Sequence, residues 1–237
     1  MFKYAPARAV PKRADSEETR QRILDTALAL FRSRGFDETT MRDIARQAGL
    51  SLGAAYYYFS GKEALVAAYY DYVQHEHLAR ARAAYATADS LADRLRAAFG
   101  TKIDIMADDR RLLSALFRYG GNPDHPLSWF GPVTAGQRRL SMLVFEEALA
   151  PERLPDDIRE AAPTLLWALH MGVVLYFVFD SSPRQRRTRA LIDASVHFVV
   201  DSRRVATSAL LRPVRRRVLG ILRDAGLIAA PAVEART

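Results

Sequence analysis

Between positions 40 and 62 the sequence gathers side chains that can hold a phosphate or reach the edge of a base. Thr40 and Ser51 are good helix N-caps, and a helix start presents free N–H groups to an anion. Ser51, Tyr56 and Tyr57 carry hydroxyl donors, and Arg42 and Lys62 carry charge. Lys62 falls in the first turn of a helix, where the dipole disfavours a cation, so a nearby phosphate is a reason to keep it. Gly53, Ala54 and Ala55 are small. A helix needs such residues if its backbone is to enter a major groove about 12 Å wide. The chemistry is that of holding a polyanion, not of making or breaking bonds.

Groups for catalysis are missing from the pattern. There is no cysteine, which excludes a disulfide scaffold, a thiol nucleophile and a Cys-ligated zinc or iron–sulfur site, and fits a reducing cytosol. His75 and His77 stand two apart on a helical pattern, which points their rings away from each other. No HExxH, P-loop, GxGxxG or GxSxG motif occurs. We therefore expect no catalytic residues, no metal and no cofactor.

The 237 residues carry 35 basic and 27 acidic side chains, a formal charge of +8. Residues 1–62 net +4, residues 63–183 net −4, and residues 184–223 net +9, with 11 Arg against two Asp. Basic ends invite a polyanion, although any charge run can be a solvated face. The first thirteen residues hold charges but no apolar stretch, which does not suit a secretory signal.

Apolar residues recur at helical spacing, and Ala, Leu and Arg are abundant, so the expected fold is all-α. Asp15 with Glu18 forms a capping-box pattern for a first helix, whose stripe is Ile23, Ala27, Leu30 and Phe31 and whose stop is Gly35. Thr40 with Asp43 opens a second helix with Met41, Ile44, Ala45 and Ala48 inward, ended by Gly49. Ser51 starts a third, short helix through Tyr58. Ser60 with Glu63 caps a fourth, reaching about Tyr85. Two short helices joined by a turn containing Gly make a helix-turn-helix. The expected organisation is a basic arm over 1–14, a helix-turn-helix domain over 15–62, a helical effector and dimerisation domain over 63–211, and a basic helix and tail over 212–237.

Thr39-Thr40-Met41-Arg42-Asp43-Ile44-Ala45-Arg46-Gln47-Ala48-Gly49-Leu50-Ser51-Leu52-Gly53-Ala54-Ala55-Tyr56-Tyr57-Tyr58-Phe59-Ser60-Gly61-Lys62-Glu63 resembles the DNA-binding signature of TetR-family transcriptional regulators. That pattern has Thr at the helix-two cap, Ile-Ala at its middle and Ala-Gly at its end. It continues with Ser, Gly, Tyr, an aromatic pair ending in Phe, and Lys-Glu opening helix four. Ala55 departs from it, standing where the family usually has Leu or Ile. The match covers roughly residues 17–70. The resemblance implies that Tyr56 bonds a phosphate and that Tyr57 faces DNA and helps specify it. Thr40, Arg42, Ser51, Gly53, Ala54 and Lys62 complete the expected DNA-binding set, with Phe59 in the core.

The apolar run from Ala161 to Phe179 is near the lower length for a membrane span. Pro163, Thr164, His170 and Gly172 interrupt it, and charges precede it directly. A helix apolar all round can instead lie between its own core and a partner. The resemblance implies that two long helices, about 157–180 and 184–211, form a four-helix bundle with a second copy. Val173, Leu191, Ala194, Ser195, Phe198, Val199 and Ser202 are the expected interface. Phe99, Ile103, Met106, Phe117, Trp129, Phe130, Met142, Phe145, Trp167, His170 and Tyr176 are candidates for a largely apolar effector pocket, with His170 as its polar anchor and 120–126 as a loop over it. Arg212–Arg223 reads as a basic amphipathic helix with Val214, Val218, Ile221 and Leu222 on its apolar side.

The expectation is a cytoplasmic, homodimeric regulator with no membrane span. It would be a repressor released from a near-palindromic double-stranded operator by a small, largely apolar effector. The alternatives are an activator, a DNA binder without a ligand, and a helical enzyme acting on lipid-like substrates. For the last, no nucleophile–base pair or metal set is supplied.

Overall fold

The computed structural model describes residues 13–122 and 124–228. The expected arm lies outside them except for Arg13 and Ala14, as do Pro123 and the tail beyond Ile228. The described residues are helical, with no β-strand among them. The chain divides into two compact units, Met1–Tyr69 and Tyr70–Thr237. The division falls inside a helix, beyond the 62/63 boundary expected.

The first unit contains α1 (Arg13–Ser33), α2 (Met41–Gln47), α3 (Leu52–Tyr58) and the start of α4 (Lys62–Tyr85). The helix α1 begins two residues before Asp15, so Asp15 lies in its first turn and not at its cap. Its expected stripe of Ile23, Ala27, Leu30 and Phe31 is buried. Gly35 ends it at φ 102°, with its N–H donating to the Phe31 carbonyl at 3.0 Å. Thr40 and Asp43 form a reciprocal capping box at α2: Asp43 N–H reaches Thr40 Oγ1 at 3.2 Å, and Thr40 N–H reaches Asp43 Oδ2 at 3.2 Å. The α2 side chains Met41, Ile44 and Ala45, with Ala48 beyond them, are buried as the spacing requires. Gly49 takes φ 71°, a left-handed turn that glycine adopts without a Cβ penalty. Leu50 N–H then closes onto the Ala45 carbonyl at 2.9 Å. Ser51 Oγ accepts from Ala54 N–H at 3.1 Å and starts α3. Ala55 and Phe59 are buried, so the smaller residue at 55 sits in the core. The helix α4 starts at Lys62, which puts Gly61, not Ser60, at its cap position.

In the second unit, α4 continues to Tyr85 and is followed by α5 (Leu91–Ile105), α6 (Arg110–Gly120), α7 (Ala135–Leu149), α8 (Asp156–Phe179), α9 (Arg186–Ala206) and α10 (Arg212–Asp224). Short 3-10 turns at Pro183–Gln185 and Ala209–Leu211 join the last three. By length and composition α8 could cross a membrane. Here it packs against α5, α6, α7, α9 and α10. It stays helical through Pro163, which is buried. The Arg110 guanidinium closes the C-terminus of α8, donating to the carbonyls of Phe177 at 3.1 Å and Val178 at 3.0 Å. Asp180 then starts the next corner, accepting from Thr188 N–H at 2.9 Å and Ser182 N–H at 2.9 Å. Burial alone would raise the Asp180 carboxyl, but the hydrogen bonds from Ser182 and Thr188 outweigh it and hold the group well below the carboxylate range.

The C-terminal helix α10 docks on α8. Arg215 Nε meets Asp157 at 2.9 Å, and Arg223 holds Glu160 bidentately at 2.7 and 2.8 Å. Leu219 and Leu222 bury against Ala161. The expected apolar side is corrected: Val214 and Ile221 are exposed, and Leu219 takes the buried position, because the two arginine pairs fix the helix rotation.

Candidate nucleic-acid interface

Gly53, Tyr56 and Tyr57 share one face of α3, because residues three and four apart on a helix are neighbours. Tyr57 is 82% exposed and Tyr56 49%. The ring of Tyr57 stands edge-on to Tyr58 at 5.2 Å, which gives it a preferred direction. A Cβ built on Gly53 would meet nothing within 4 Å. The chain's own packing therefore does not require glycine there, as it does not at Gly100, Gly136, Gly172 or Gly220. Ser51 is exposed, with its oxygen accepting the cap bond and its O–H free to donate outward. Ala54 is half-buried beside it.

Arg42 is exposed on the first turn of α2 with no partner among the described residues. The Thr40 hydroxyl is already engaged, since it donates to Asp43 Oδ2 at 2.5 Å. The Asp43 carboxyl lies below its ordinary range, chiefly because of the Thr40 side-chain and backbone bonds. Lys62 is also engaged. Its ammonium donates to the Phe36 carbonyl at 2.7 Å and lies 4.4 Å from the centre of the Phe36 ring. Spacing gives no hint of this bond, which joins residues far apart in the chain. The ammonium also donates to the Asp37 carbonyl at 3.4 Å, which leaves Lys62 one further N–H group for a phosphate.

The expected effector residues do not share one environment. Phe99, Ile103, Met106, Met142, Phe145, Trp167 and His170 are buried, Phe117 and Trp129 half-buried, and Phe130 and Tyr176 exposed. Phe99 and Phe145 pack edge-on to His170, at 5.3 and 5.5 Å between ring centres. Trp129 lies against Gly120, where a Cβ would come within 2.4 Å of the indole. A cavity of about 400 Å³ lies elsewhere in this unit, among α8, α9 and α10. None of the expected pocket residues lines it, but Phe198, Val199 and Ser202 of the expected interface do.

Beside His170 the core holds a cluster that composition could not reveal. Lys102 is 4% exposed and donates to Ser141 Oγ at 3.0 Å. Burial lowers its ammonium to about 7. His77 Nε2–H donates to the Ala98 carbonyl at 2.8 Å. Burial, then the charge of Lys102, lowers it to about 3. Burial likewise holds His170 well below its usual value. His77 Nδ1 and His170 Nε2 have no hydrogen-bond partner among the described residues.

The expected interface needs one correction. Val173 is 1% exposed and belongs to the core. At about 100° per residue it lies about 80° round α8 from the centre of the exposed stripe. That stripe is Leu165, Leu169, Tyr176 and Phe179, with Leu175 at its margin. On α9, Leu191, Ala194 and Phe198 are exposed, Phe198 at 71%, while Ser195, Val199 and Ser202 are half-buried.

Comparison with known proteins accords with this geometry. Residues 23–69 match the family described as bacterial regulatory proteins, tetR family. The HTH-type transcriptional regulator SrpR of Pseudomonas putida is 51% identical over 49 residues, 21% of this chain and 23% of the relative. The HTH-type transcriptional regulator TtgR, also of Pseudomonas putida, is 44% identical over 69 residues, 28% of this chain and 33% of the relative. These curated relatives are thus matched over only about a quarter to a third of their own length. A TetR-family regulator from Pectobacterium atrosepticum shares the fold, with a TM-score of 0.62 at 21% identity over 81% of this chain and 97% of the other. Thermus thermophilus FadR, a repressor solved with lauroyl-CoA, gives 0.54 at 25% identity over 76% and 92%. The second unit matches the tetracyclin repressor-like C-terminal domain over residues 94–215, just over half of the chain. With both units matched in sequence order, the chain belongs to the TetR family of bacterial regulatory proteins.

Proposed function

We propose that this protein binds double-stranded DNA as a homodimer and represses transcription until a small, largely apolar effector binds its second unit. The observation that carries the DNA reading is the exposed polar face of α3, where Tyr56 and Tyr57 stand in solvent beside the small Gly53 and the Ser51 cap. Tyr57 reads base edges in the major groove, and Arg42, Tyr56, Ser51 and Lys62 hold phosphates. The free N–H groups at the start of α2 add to the phosphate grip. Such work belongs to the cytoplasm.

The dimer is supported by the exposed apolar stripes of α8 and α9. A second copy would cover both in one isologous interface. The effector is supported by lauroyl-CoA in the Thermus FadR, a ligand with a long apolar part. The test is selection of binding sites from random DNA with the full chain. We expect enrichment of a near-palindrome whose half-sites lie about one helical turn, roughly 34–36 Å, apart. Recovery of no preferred sequence would overturn the reading.

A further inference from the structure

We propose that the junction of α8, α9 and α10 binds an amphipathic monoanion, a straight apolar chain ending in a carboxylate. This rests on the reading of the chain as an effector-controlled regulator, and gives the effector a place and a chemical class. The cavity there measures about 400 Å³ and is walled by side chains such as Ala161, Ala162, Leu165, Val199, Ala206 and Val218. Its size falls within the roughly 300–1,000 Å³ of small-molecule sites. The apolar space survives because α10 is moored by its charges. Arg215 bonds Asp157 and the carbonyls of Ala206 at 2.9 Å and Ser208 at 2.6 Å, and Arg223 bonds Glu160. These contacts set the height at which Val214 and Val218 stand over α8 and α9.

A polar recess formed by Pro155, Asp156, Asp157, Arg212, Arg215 and Arg216 adjoins the cavity, and Asp157 and Arg215 belong to both. Asp157 is committed to Arg215. Arg212 and Arg216 are exposed and have no partner among the described residues. They outnumber Asp156, the other acid of the recess, and the start of α8 there has no side-chain cap. An apolar space that opens beside unanswered guanidinium groups fits a molecule with one apolar end and one acidic end. A neutral hydrocarbon would leave the arginines unanswered, and a phosphate alone would leave the apolar space empty.

The experiment is calorimetric titration of the full chain with dodecanoate below its micellar concentration, alongside dodecanol, decanoate and octanoate. One saturable dodecanoate per chain is expected, at least about tenfold tighter than dodecanol because of the charge-assisted bonds. Each added methylene from octanoate upward should tighten binding about fourfold until the cavity is full. Arg212→Gln with Arg216→Gln should abolish the preference for acid over alcohol without changing the melting curve, since both side chains stand in solvent. Ala162→Phe, which puts a ring into the cavity, should weaken both ligands. The proposal is overturned by absent or unsaturable binding, by equal affinity for acid and alcohol, or by a double variant that keeps its preference. It is also overturned if Ala162→Phe changes the sedimentation of the protein but not its dodecanoate affinity, which would assign the cavity to a second copy. Site selection on DNA with the same preparations separates the two readings. Protein that selects a palindrome yet ignores dodecanoate refutes this site alone.

Discussion

Replacing Lys102 by Met should make the protein more stable near neutral pH and less stable in alkali. The buried ammonium is lowered from 10.5 to about 7 by burial. In the folded state it gives up its proton near pH 7, whereas unfolded it keeps the proton to about 10.5. Between those values the unfolded chain binds more protons, so stability rises with pH, and below about 7 the cost is constant. At about 1.4 kcal/mol per unit the charge costs about 4–5 kcal/mol at full protonation. Met removes that cost but leaves the Ser141 hydroxyl without its bond, which costs about 1–3 kcal/mol. The variant should therefore gain about 2 kcal/mol near pH 7, lose its advantage as pH rises, and fall below the parent by about pH 10. Urea unfolding of both proteins at one fixed concentration, followed by circular dichroism from about pH 7 to about pH 10, measures the difference, and fixed concentration removes the linkage to dimerisation. A difference that stays constant across this range would refute the reasoning, because it would show that the amine is not carrying a displaced titration.

Tyr57→Ala should cost about 1–3 kcal/mol at the selected site and broaden the sequences recovered by binding selection; Lys62→Ala should weaken all sequences alike and reduce the salt slope by about one per subunit, while also lowering the melting temperature through loss of the Phe36 carbonyl bond. Phe198→Glu should give a soluble monomer by sedimentation, because that side chain is 71% exposed within the chain and contributes little to its own core. An effector that releases DNA must bind the DNA-free form more tightly, by about 1–3 kcal/mol, and equal affinity for free and DNA-bound protein would disqualify that compound.

The parts of the fold that are legible in sequence are those fixed by near neighbours. Thr40 with Asp43, Gly49 and Ser51 each act within a few residues, so α2, α3 and the turn between them follow directly. The starts of α1 and α4 are harder, because several adjacent residues can serve as caps and long-range packing selects among them. Val173 is misplaced for a different reason. A helix that is apolar on every side carries no phase, so its sequence does not say which face meets its own core and which a partner. The cavity among α8, α9 and α10 is not legible at all, because it is space left by how three helices are held apart. Bulky residues such as Phe99 and Phe145 are buried and fill space, and do not line this cavity. Lys102 does leave a trace: it lies on the same stripe of α5 as Leu91, Leu95, Ala98 and Phe99, where a charge should draw notice.

Glycine is disfavoured relative to alanine by about 0.8–1.0 kcal/mol in a helix interior, and by less in a first turn such as that of α3, where Gly53 stands. At Gly53 the folded chain recovers none of that through contacts of its own, since the space beside it is open. Mutation under selection for stability alone would replace such a residue early. On the proposed DNA reading, Gly53 acts as a record of use. In a lineage whose copy had stopped serving its partner, this position should drift toward alanine or a larger helix former while Ala55, buried in the core, stayed small.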